Sequence, residues 1–269
     1  MNFLFLGDVM GKSGRKAVFD HLPRLRDELS LDFVVANAEN AAGGFGMTVD
    51  IAQDLFDAGV DVITGGNHTF DKREVYGFID SDTRVLRPIN YPEGTPGKGK
   101  GAYELEDGRR IVVVNALGRV FMNPLDDPFA AVERAITHEQ LGHDAQFIFV
   151  DMHAEATSEK MAMGQFLDGR VSLVVGTHSH IPTADAQILP HGTAYQTDAG
   201  MCGDYDSVIG MQKEEPIHRF VTKMMNERFT PATGPGTMCG VYVEADDATG
   251  LATRVVPVRL GGRLQSSRP

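Results

Sequence analysis

Tryptophan, cysteine and long apolar runs are the scarce features of this 269-residue sequence, which has no Trp and two Cys. Two cysteines, Cys202 and Cys239, cannot form a disulfide framework, so a reducing, cytoplasmic environment is expected, although one disulfide between them stays open. No uninterrupted apolar segment approaches the roughly 20 residues of a membrane-spanning helix, so no association with a membrane is expected. Residues 1–8 turn polar almost at once and are predicted to form a strand, not a signal peptide.

Positive charge is also in short supply. The sequence has 25 Lys and Arg against 37 Asp and Glu, a formal net charge of −12. A broad basic surface for duplex nucleic acid or an anionic membrane is therefore not expected. With six Tyr and no Trp, a surface that stacks single-stranded bases would need Phe, and no basic-aromatic cluster indicates one. A small anionic substrate is still compatible with this charge, because bound divalent cations would dominate the local field.

The order of the predicted elements indicates an α/β fold. Short apolar runs alternate with helix-like segments through the first half, which is the pattern of a parallel sheet. Turn residues at 106–109, 190–192 and 246–250 instead predict antiparallel hairpins. We therefore expect two mixed sheets packed face to face with helices outside. The whole is predicted to be a single domain over residues 1–260, with a disordered tail at 261–269.

What the sequence does contain is five short polar clusters, each just after an apolar, strand-like run. In α/β folds, residues just past the carboxyl ends of strands converge on one crevice. The clusters offer carboxylates, amide oxygens and imidazoles, a ligand set for one metal centre or two. The runs are Phe3–Leu6, Phe33–Ala36, Val60–Thr64, Phe147–Val150 and Val171–Val175, and the clusters are Gly7-Asp8, Asn37–Asn40 (NAEN), Gly65–His68 (GGNH), Asp151–His153 (DMH) and Gly176–His180 (GTHSH).

The histidines are unevenly distributed between these clusters and the rest of the chain. Four of the nine lie in three clusters, and His178 and His180 are two residues apart, so an extended segment would place both imidazoles on one side. Gly65 and Gly66 would let the backbone approach a ligand closely. The other five are expected to be surface or packing residues: His21, His138, His143, His191 and His218.

Taken one at a time, several of these residues have simpler interpretations. Asp8 could cap the following helix, and Glu39 and Asn40 could be turn residues before the glycine loop 43–46. A coincidence of four histidines, two carboxylates and two asparagines at strand ends is much harder to explain by local structure. The set as a whole therefore predicts a metal centre.

In this order, the clusters resemble the calcineurin-like metallophosphoesterase superfamily, whose signature is Asp-x-His, Gly-Asp, Gly-Asn-His-Asp/Glu, a lone His and Gly-His-x-His. Two departures, the missing histidine after Asp8 and Glu39 in place of the usual bridging aspartate, resemble the bacterial YmdB-type phosphodiesterases. The resemblance extends to about residue 260 and implies a four-layer α/β/β/α sandwich. Three further runs share it: residues 37–44 (NAENAAGG), 197–201 (TDAGM) and 205–211 (YDSVIGM).

The resemblance also implies the ligands of two metal ions, with Glu39 bridging them. His68 would not be a ligand but the proton donor to the leaving group, and Asp71 is expected either to orient its imidazole or to start a helix. The ions would be divalent or mixed-valence, with Fe or Mn favoured by the mixed N/O ligands and Zn or Mg left open. One ion would be held by Asp8, Glu39, Asn40 and His180, and the other by Glu39, Asn67, His153 and His178.

The implied activity is hydrolysis of a phosphodiester, with 2′,3′-cyclic nucleotides as the best-known substrate class. A hydroxide bridging the ions would attack phosphorus while His68 protonates the leaving group. Two divalent ions less the charges of ionised Asp8 and Glu39 leave a net +2, which suits a hydroxide and a phosphodiester monoanion. A phosphomonoesterase, an RNA nuclease and a non-catalytic metal-binding regulatory protein stay open as alternatives.

The remaining expectations concern partners. A small phosphodiester is the expected ligand, extended duplex nucleic acid is not, and a homo-oligomer is left open. The glycine loop 43–46 with Phe45 is expected either to form one wall of the substrate pocket or to allow tight packing near Glu39.

Overall fold

The computed structural model describes residues 1–269 and places two six-stranded sheets face to face, with helices on their outer sides. The strands are β1 (Asn2–Leu6), β2 (Asp8–Val9), β3 (Phe33–Asn37), β4 (Val62–Thr64), β5 (Val85–Leu86), β6 (Lys100–Glu104), β7 (Arg110–Leu117), β8 (Phe147–His153), β9 (Leu173–Thr177), β10 (Gln187–Ile188), β11 (Ala194–Gln196), β12 (Met201–Cys202), β13 (Thr237–Ala245) and β14 (Ala252–Gly261). The helices are α1 (Gly11–Glu28), α2 (Val49–Asp57), α3 (Val75–Ser81), α4 (Pro128–Ile136), α5 (Thr157–Leu167) and α6 (Glu214–Thr222).

Both large sheets are mixed, as predicted. The first has the order β14-β13-β1-β3-β4-β5, in which β1, β3, β4 and β5 run parallel and β13 runs antiparallel to both of its neighbours, β1 and β14. The second has the order β10-β11-β9-β8-β7-β6, with a parallel centre and an antiparallel strand at each edge. A third, two-stranded sheet pairs β2 with β12. The carboxyl ends of the parallel strands therefore lie at one edge of each sheet.

The alternation of side chains in the central strands explains the four layers. In β1, Phe3 and Phe5 pack between the sheets, whereas Leu4 and Leu6 pack with the helices α1 and α2. The ring of Phe3 stacks on that of Phe147 with centroids 4.4 Å apart. Because both faces of the central strands are buried, their sequences are continuous apolar runs. The predicted α/β/β/α sandwich is confirmed.

The three predicted hairpins are also confirmed, at the connections β6–β7, β10–β11 and β13–β14. Two strand ends differ from the prediction, because β8 continues to His153 and β9 to Thr177, where these residues pair with each other. The cysteines Cys202 and Cys239 are buried and free, so the disulfide left open by the sequence is absent.

After β14 the chain turns back, and Ser267 exchanges two main-chain hydrogen bonds with Arg259, of 2.8 and 3.0 Å. The division into one domain over residues 1–260 and a disordered tail at 261–269 stays a prediction. None of the six helices combines the length and the apolar character that crossing a membrane requires.

Replacing Phe3 by Ala is expected to lower the free energy of unfolding by about 3–5 kcal/mol, because a fully buried ring between two sheets leaves a cavity that cannot collapse. Urea denaturation followed by circular dichroism measures this. The matched control is Phe220→Ala, whose side chain is 74 % exposed and should change stability by no more than about 0.5 kcal/mol. Equal effects of the two changes would contradict the assignment of the inter-sheet core.

Candidate metal centre

The five polar clusters meet where the carboxyl ends of the two sheets come together. Each follows or ends one strand: Asp8 after β1, Glu39 and Asn40 after β3, Asn67 and His68 after β4, His153 at the end of β8, and His178 and His180 after β9. Contacts between members of different clusters link seven of these side chains and the main-chain N–H of His68 into one group. The predicted convergence of these residues is therefore observed.

Four of the side chains form an inner cluster around one imidazole nitrogen. His153 Nε2 lies 3.0 Å from Asn67 Oδ1, 3.0 Å from Glu39 Oε1 and 3.1 Å from His178 Nδ1. Gly66 is required beside it, since a Cβ there would lie 2.4 Å from both His153 Nε2 and Glu39 Oε2. The donor atoms of Glu39, His153 and His178 lie within 4.8 Å of one another, a geometry that could hold a metal ion.

The other three predicted ligands form an outer cluster next to it. His180 Nε2 lies 3.3 Å from Asn40 Oδ1 and 3.7 Å from Asp8 Oδ1. The same Asp8 oxygen lies 3.8 Å from His153 Nδ1, which connects the two clusters. Asp8 is fully buried, and its Oδ1 has no hydrogen-bond partner.

The oxygen and nitrogen atoms of these two clusters are better placed to bind divalent cations than to hydrogen-bond to one another. The atoms that meet at 3.0–3.1 Å around His153 Nε2 are mostly lone-pair acceptors, and a cation with bonds of about 2.1 Å at right angles separates its ligands by about 3.0 Å. A buried carboxylate oxygen with no donor, as at Asp8, is costly unless a positive charge faces it. Carboxylate, amide oxygen and imidazole without thiolate is a set suited to Mn, Fe, Zn or Mg.

Each of the three clustered histidines has its second ring nitrogen occupied, which fixes the nitrogen that faces the cluster. His180 Nδ1 donates to the carbonyl oxygen of Ile209 at 2.8 Å, and His178 Nε2 lies 3.2 Å from Glu155 Oε2. His153 Nδ1 lies 2.9 Å from the hydroxyl of Thr177. Such second contacts orient imidazoles toward a metal and set their tautomer.

Behind His153, the buried carboxylate of Asp151 fixes the direction of the hydrogen bond between His153 and Thr177. The Thr177 hydroxyl donates to Asp151 Oδ1 at 2.7 Å, so its oxygen accepts from His153 Nδ1–H, and in the neutral imidazole the lone pair is then on Nε2. Asp151 Oδ2 also accepts from Thr64 Oγ1 at 2.6 Å and Asn37 Nδ2 at 3.1 Å. Burial raises the pKa of Asp151 to about 6, against the effect of His153 and these donors.

The charges of the cluster shift each other's protonation. Burial alone would lower the pKa of His153, but the carboxylates of Glu39, Asp8 and Asp151 outweigh it and raise that pKa. Burial would raise the pKa of Glu39, but His153 and His68 lower it. Burial and the adjacent His153 together lower the pKa of His178 to about 3. The carboxylates thus favour a proton on His153, and a metal cation bound at the same place would compete with that proton.

The loop that carries His178 and His180 is held by a buried ion pair. Both histidines have left-handed backbones, with φ of 92° and 66°, which non-glycine residues rarely adopt. Between them, Ser179 donates to Asp198 Oδ2 through its hydroxyl at 2.6 Å and its main-chain N–H at 3.2 Å. The same oxygen accepts from Lys160 Nζ at 2.8 Å, and both charged side chains are fully buried.

Sequence reasoning did not select these supporting residues. Asp198 lies in the run 197–201 that the resemblance quoted, and Thr177 lies inside the fifth cluster, so both had a signal without an assigned role. Lys160 is in α5 and has no such signal, because a lysine on a helix is normally exposed.

His68 lies at the edge of the inner cluster. Its main-chain N–H donates to Glu39 Oε2 at 2.8 Å, and its Nδ1 lies 2.7 Å from Asp71 Oδ2. Of the two roles expected for Asp71, the structure shows the contact with His68, since the next helix, α3, begins at Val75. The ring of Phe45 meets His68 edge to face, with centroids 5.1 Å apart.

Two mixed sheets between helix layers, with carboxylate, amide and imidazole groups gathered at the strand ends, define a metallophosphoesterase-type protein. The chain belongs to the YmdB-like protein family, whose model matches residues 4–258.

Comparisons with known proteins agree over nearly the whole length. The chain is 48 % identical over 255 residues to the Bacillus subtilis (strain 168) 2′,3′-cyclic-nucleotide 2′-phosphodiesterase, covering 95 % of each protein. A crystal structure of a hypothetical protein from Thermus thermophilus superposes with a TM-score of 0.91 at 44 % identity, covering 98 % of this chain and 100 % of that one. A Mycoplasma pneumoniae crystal structure described as a novel phosphatase has a TM-score of 0.90 at 34 % identity, with 97 % and 93 % covered.

Replacing Asp198 by Asn is expected to lower the free energy of unfolding by about 3–5 kcal/mol, because it leaves the buried Lys160 ammonium without its counter-charge. Urea denaturation measures the loss. The matched control is Asp206→Asn, which removes the carboxylate of an exposed ion pair with Lys213 and should have little effect. If the two variants unfold at the same urea concentration, Asp198 does not support the loop in the way described.

Proposed function

We propose that this chain is a metal-dependent phosphodiesterase that hydrolyses 2′,3′-cyclic nucleotides. The observation that carries the proposal is the meeting of Glu39, Asn67 and His178 within 3.0–3.1 Å of His153 Nε2, beside the Asp71-bound His68. The activity of the Bacillus subtilis relative, a 2′,3′-cyclic-nucleotide 2′-phosphodiesterase, supports the substrate class. Other relatives carry the broader description of putative phosphatase or phosphodiesterase.

Seven side chains would hold the cations. The inner ion would be bound by Asn67, His153 and His178, the outer ion by Asp8, Asn40 and His180, and Glu39 would contribute to both. When bound, divalent cations lower the pKa of coordinated water and neutralise charge on phosphoryl oxygens. Fe or Mn is the proposed metal, because amide and carboxylate oxygens make up more than half of the set.

His68 would donate the proton to the departing oxygen. Asp71 accepts from Nδ1–H, which leaves Nε2 to carry the transferable proton and stabilises the imidazolium. The main-chain bond from His68 to Glu39 keeps this ring next to the inner cluster. Protonation of this kind contributes about 10²–10⁴-fold when the leaving group is an alkoxide.

The charge of the cavity supports a diester over a monoester. Besides the groups of the centre, the cavity that opens beside it has no Lys or Arg in its lining. A monoester dianion would need such groups more than a diester monoanion does, so phosphomonoesterase activity is the second candidate. The low positive charge of the chain gives no support to a nuclease with a long basic groove.

Replacing His178 by Ala is expected to abolish hydrolysis of bis-p-nitrophenyl phosphate and to lower the bound metal from near two ions per chain, because it removes a ligand of the inner cluster. Elemental analysis of the purified protein measures the metal and identifies it. His143→Ala is the control, since its side chain is exposed and pairs with Asp144 outside the centre, and it should retain both metal and activity. Full activity of the His178 variant would rule out the assigned centre.

Replacing His68 by Ala is expected to keep the metal content and to lower kcat on 2′,3′-cyclic nucleotides by about 10²–10⁴-fold. The loss should be much smaller on bis-p-nitrophenyl phosphate, because a nitrophenolate departs without needing a proton. Steady-state kinetics on both substrates test this, with Asp71→Asn expected to show an intermediate loss. An equal loss on the two substrates would mean that His68 is not the proton donor.

A further inference from the structure

A cavity of about 310 Å³ opens directly beside the metal centre, and the lining outside the centre is mostly apolar. Every charged or hydrogen-bonding side chain in its lining belongs to the centre or to His68. The remaining walls are mostly methionine, aromatic and aliphatic side chains, among them Met10, Phe45, Ile209, Met211, Phe220 and Phe229. The metal centre explains why one part of the lining is polar. It does not explain the apolar part, which we call the apolar end.

The glycine loop 43–46 and the run 205–211, which the metal centre leaves mostly unused, supply residues of this apolar end, and Met201 of the run 197–201 packs against it. Met10, Met201 and Met211 form a small buried cluster, and Phe45 and Phe229 pack against it. Met201 closes the run TDAGM, Met211 closes the run YDSVIGM, and Phe45 lies in the glycine loop. Gly210 is required for this packing, because it has φ of 94° and a Cβ there would lie 2.5 Å from Met10 Cγ.

We infer that this apolar end binds the nucleobase of a nucleotide substrate. The inference rests on the proposed function, since it assumes that the phosphodiester lies at the metal centre. With phosphorus there, the uncharged remainder of the substrate must lie along the cavity. Flexible methionines and aromatic rings are good partners for a planar, polarisable group such as a base.

The same lining limits what can be recognised. No polar side chain at the apolar end could read the edge of a base by hydrogen bonds, and contact with the face of a base tolerates all four bases. Discrimination by hydrogen bonds needs groups built for it. The pocket should therefore accept purines and pyrimidines with similar kcat/KM.

The size and charge of the cavity favour a single nucleotide. A volume of about 310 Å³ is at the small end of ligand cavities. The absence of Lys and Arg from the lining leaves no partner for a second phosphate. Longer oligonucleotides should accordingly be poorer substrates.

The test compares 2′,3′-cyclic adenosine monophosphate with ribose 2′,3′-cyclic phosphate, which lacks the base, on the metal-loaded enzyme. The wild type should favour the nucleotide by about tenfold or more in kcat/KM. Phe220→Ala and Phe45→Ala should each reduce this ratio, and Phe220 is the cleaner probe because it is largely exposed. Phe166→Ala is the matched control, since Phe166 is exposed near the end of α5 and outside the cavity, and it should keep the wild-type ratio.

A wild-type ratio near one, or a ratio unchanged in both variants, would overturn the inference. A large preference for one base over the others would overturn the claim of base tolerance. Calorimetric titration with adenosine 3′-monophosphate and the corresponding base-free ribose phosphate separates the two proposals. If neither cyclic compound is hydrolysed, the proposed function fails, while a tighter binding of the base-bearing phosphate that weakens in Phe220→Ala still supports the base pocket.

Discussion

The rest of this molecule depends on one contact: carboxylate, amide and imidazole atoms that all carry lone pairs meet at the carboxyl ends of the strands of the two sheets. Asp8 and Glu39 are fully or almost fully buried, and one oxygen of Asp8 has no donor within the protein. Buried charge of one sign is unfavourable without an opposite charge. The negative carboxylates therefore raise the pKa of His153, and a proton held there competes with a cation for the same position.

The support for this contact comes from behind it, in two separate networks. Thr177 and Asp151 orient His153, while Lys160 and Asp198 hold the loop through Ser179. Both networks include residues of the second sheet or of its helix α5, and they reach the centre at His153 and at Ser179, which lies between His178 and His180. Left-handed residues such as His178 and His180 cost about 1–3 kcal/mol each and persist only where the surroundings fix them. The buried ion pair therefore stabilises the strained backbone of this loop.

Much of the fold could be predicted because burial leaves a periodic signal. Phe3 and Phe5 alternate with leucines, which specifies a strand buried on both faces, and the turn residues at three hairpins mark where the chain reverses. The convergence of the clusters was also predictable, because strand ends in α/β sheets share an edge. Whether those side chains bind metal stays a prediction.

Other features were hidden because they depend on pairs distant in sequence. Nothing local shows that Lys160 is buried, since its partner Asp198 lies 38 residues away. The methionine cluster likewise joins three residues far apart in the sequence, Met10, Met201 and Met211, so no local pattern predicts it. The lengths of β8 and β9 were underestimated for a related reason. These strands extend to His153 and Thr177 because the two residues pair with each other across the sheet.

Charged and apolar groups are separated in the cavity, so the phosphodiester and the uncharged part of a substrate would be bound by different interactions. No Lys or Arg lines the cavity, so attraction of a phosphodiester there depends mainly on cations held by Asp8, Glu39 and their neighbours. Contact of an uncharged group with Met10, Met211 and Phe45 is independent of those cations, because burial of apolar surface involves no counter-charge. Removal of metal should thus weaken the hold on the phosphate while leaving the apolar contact, and this difference makes the two halves of the site separable by experiment.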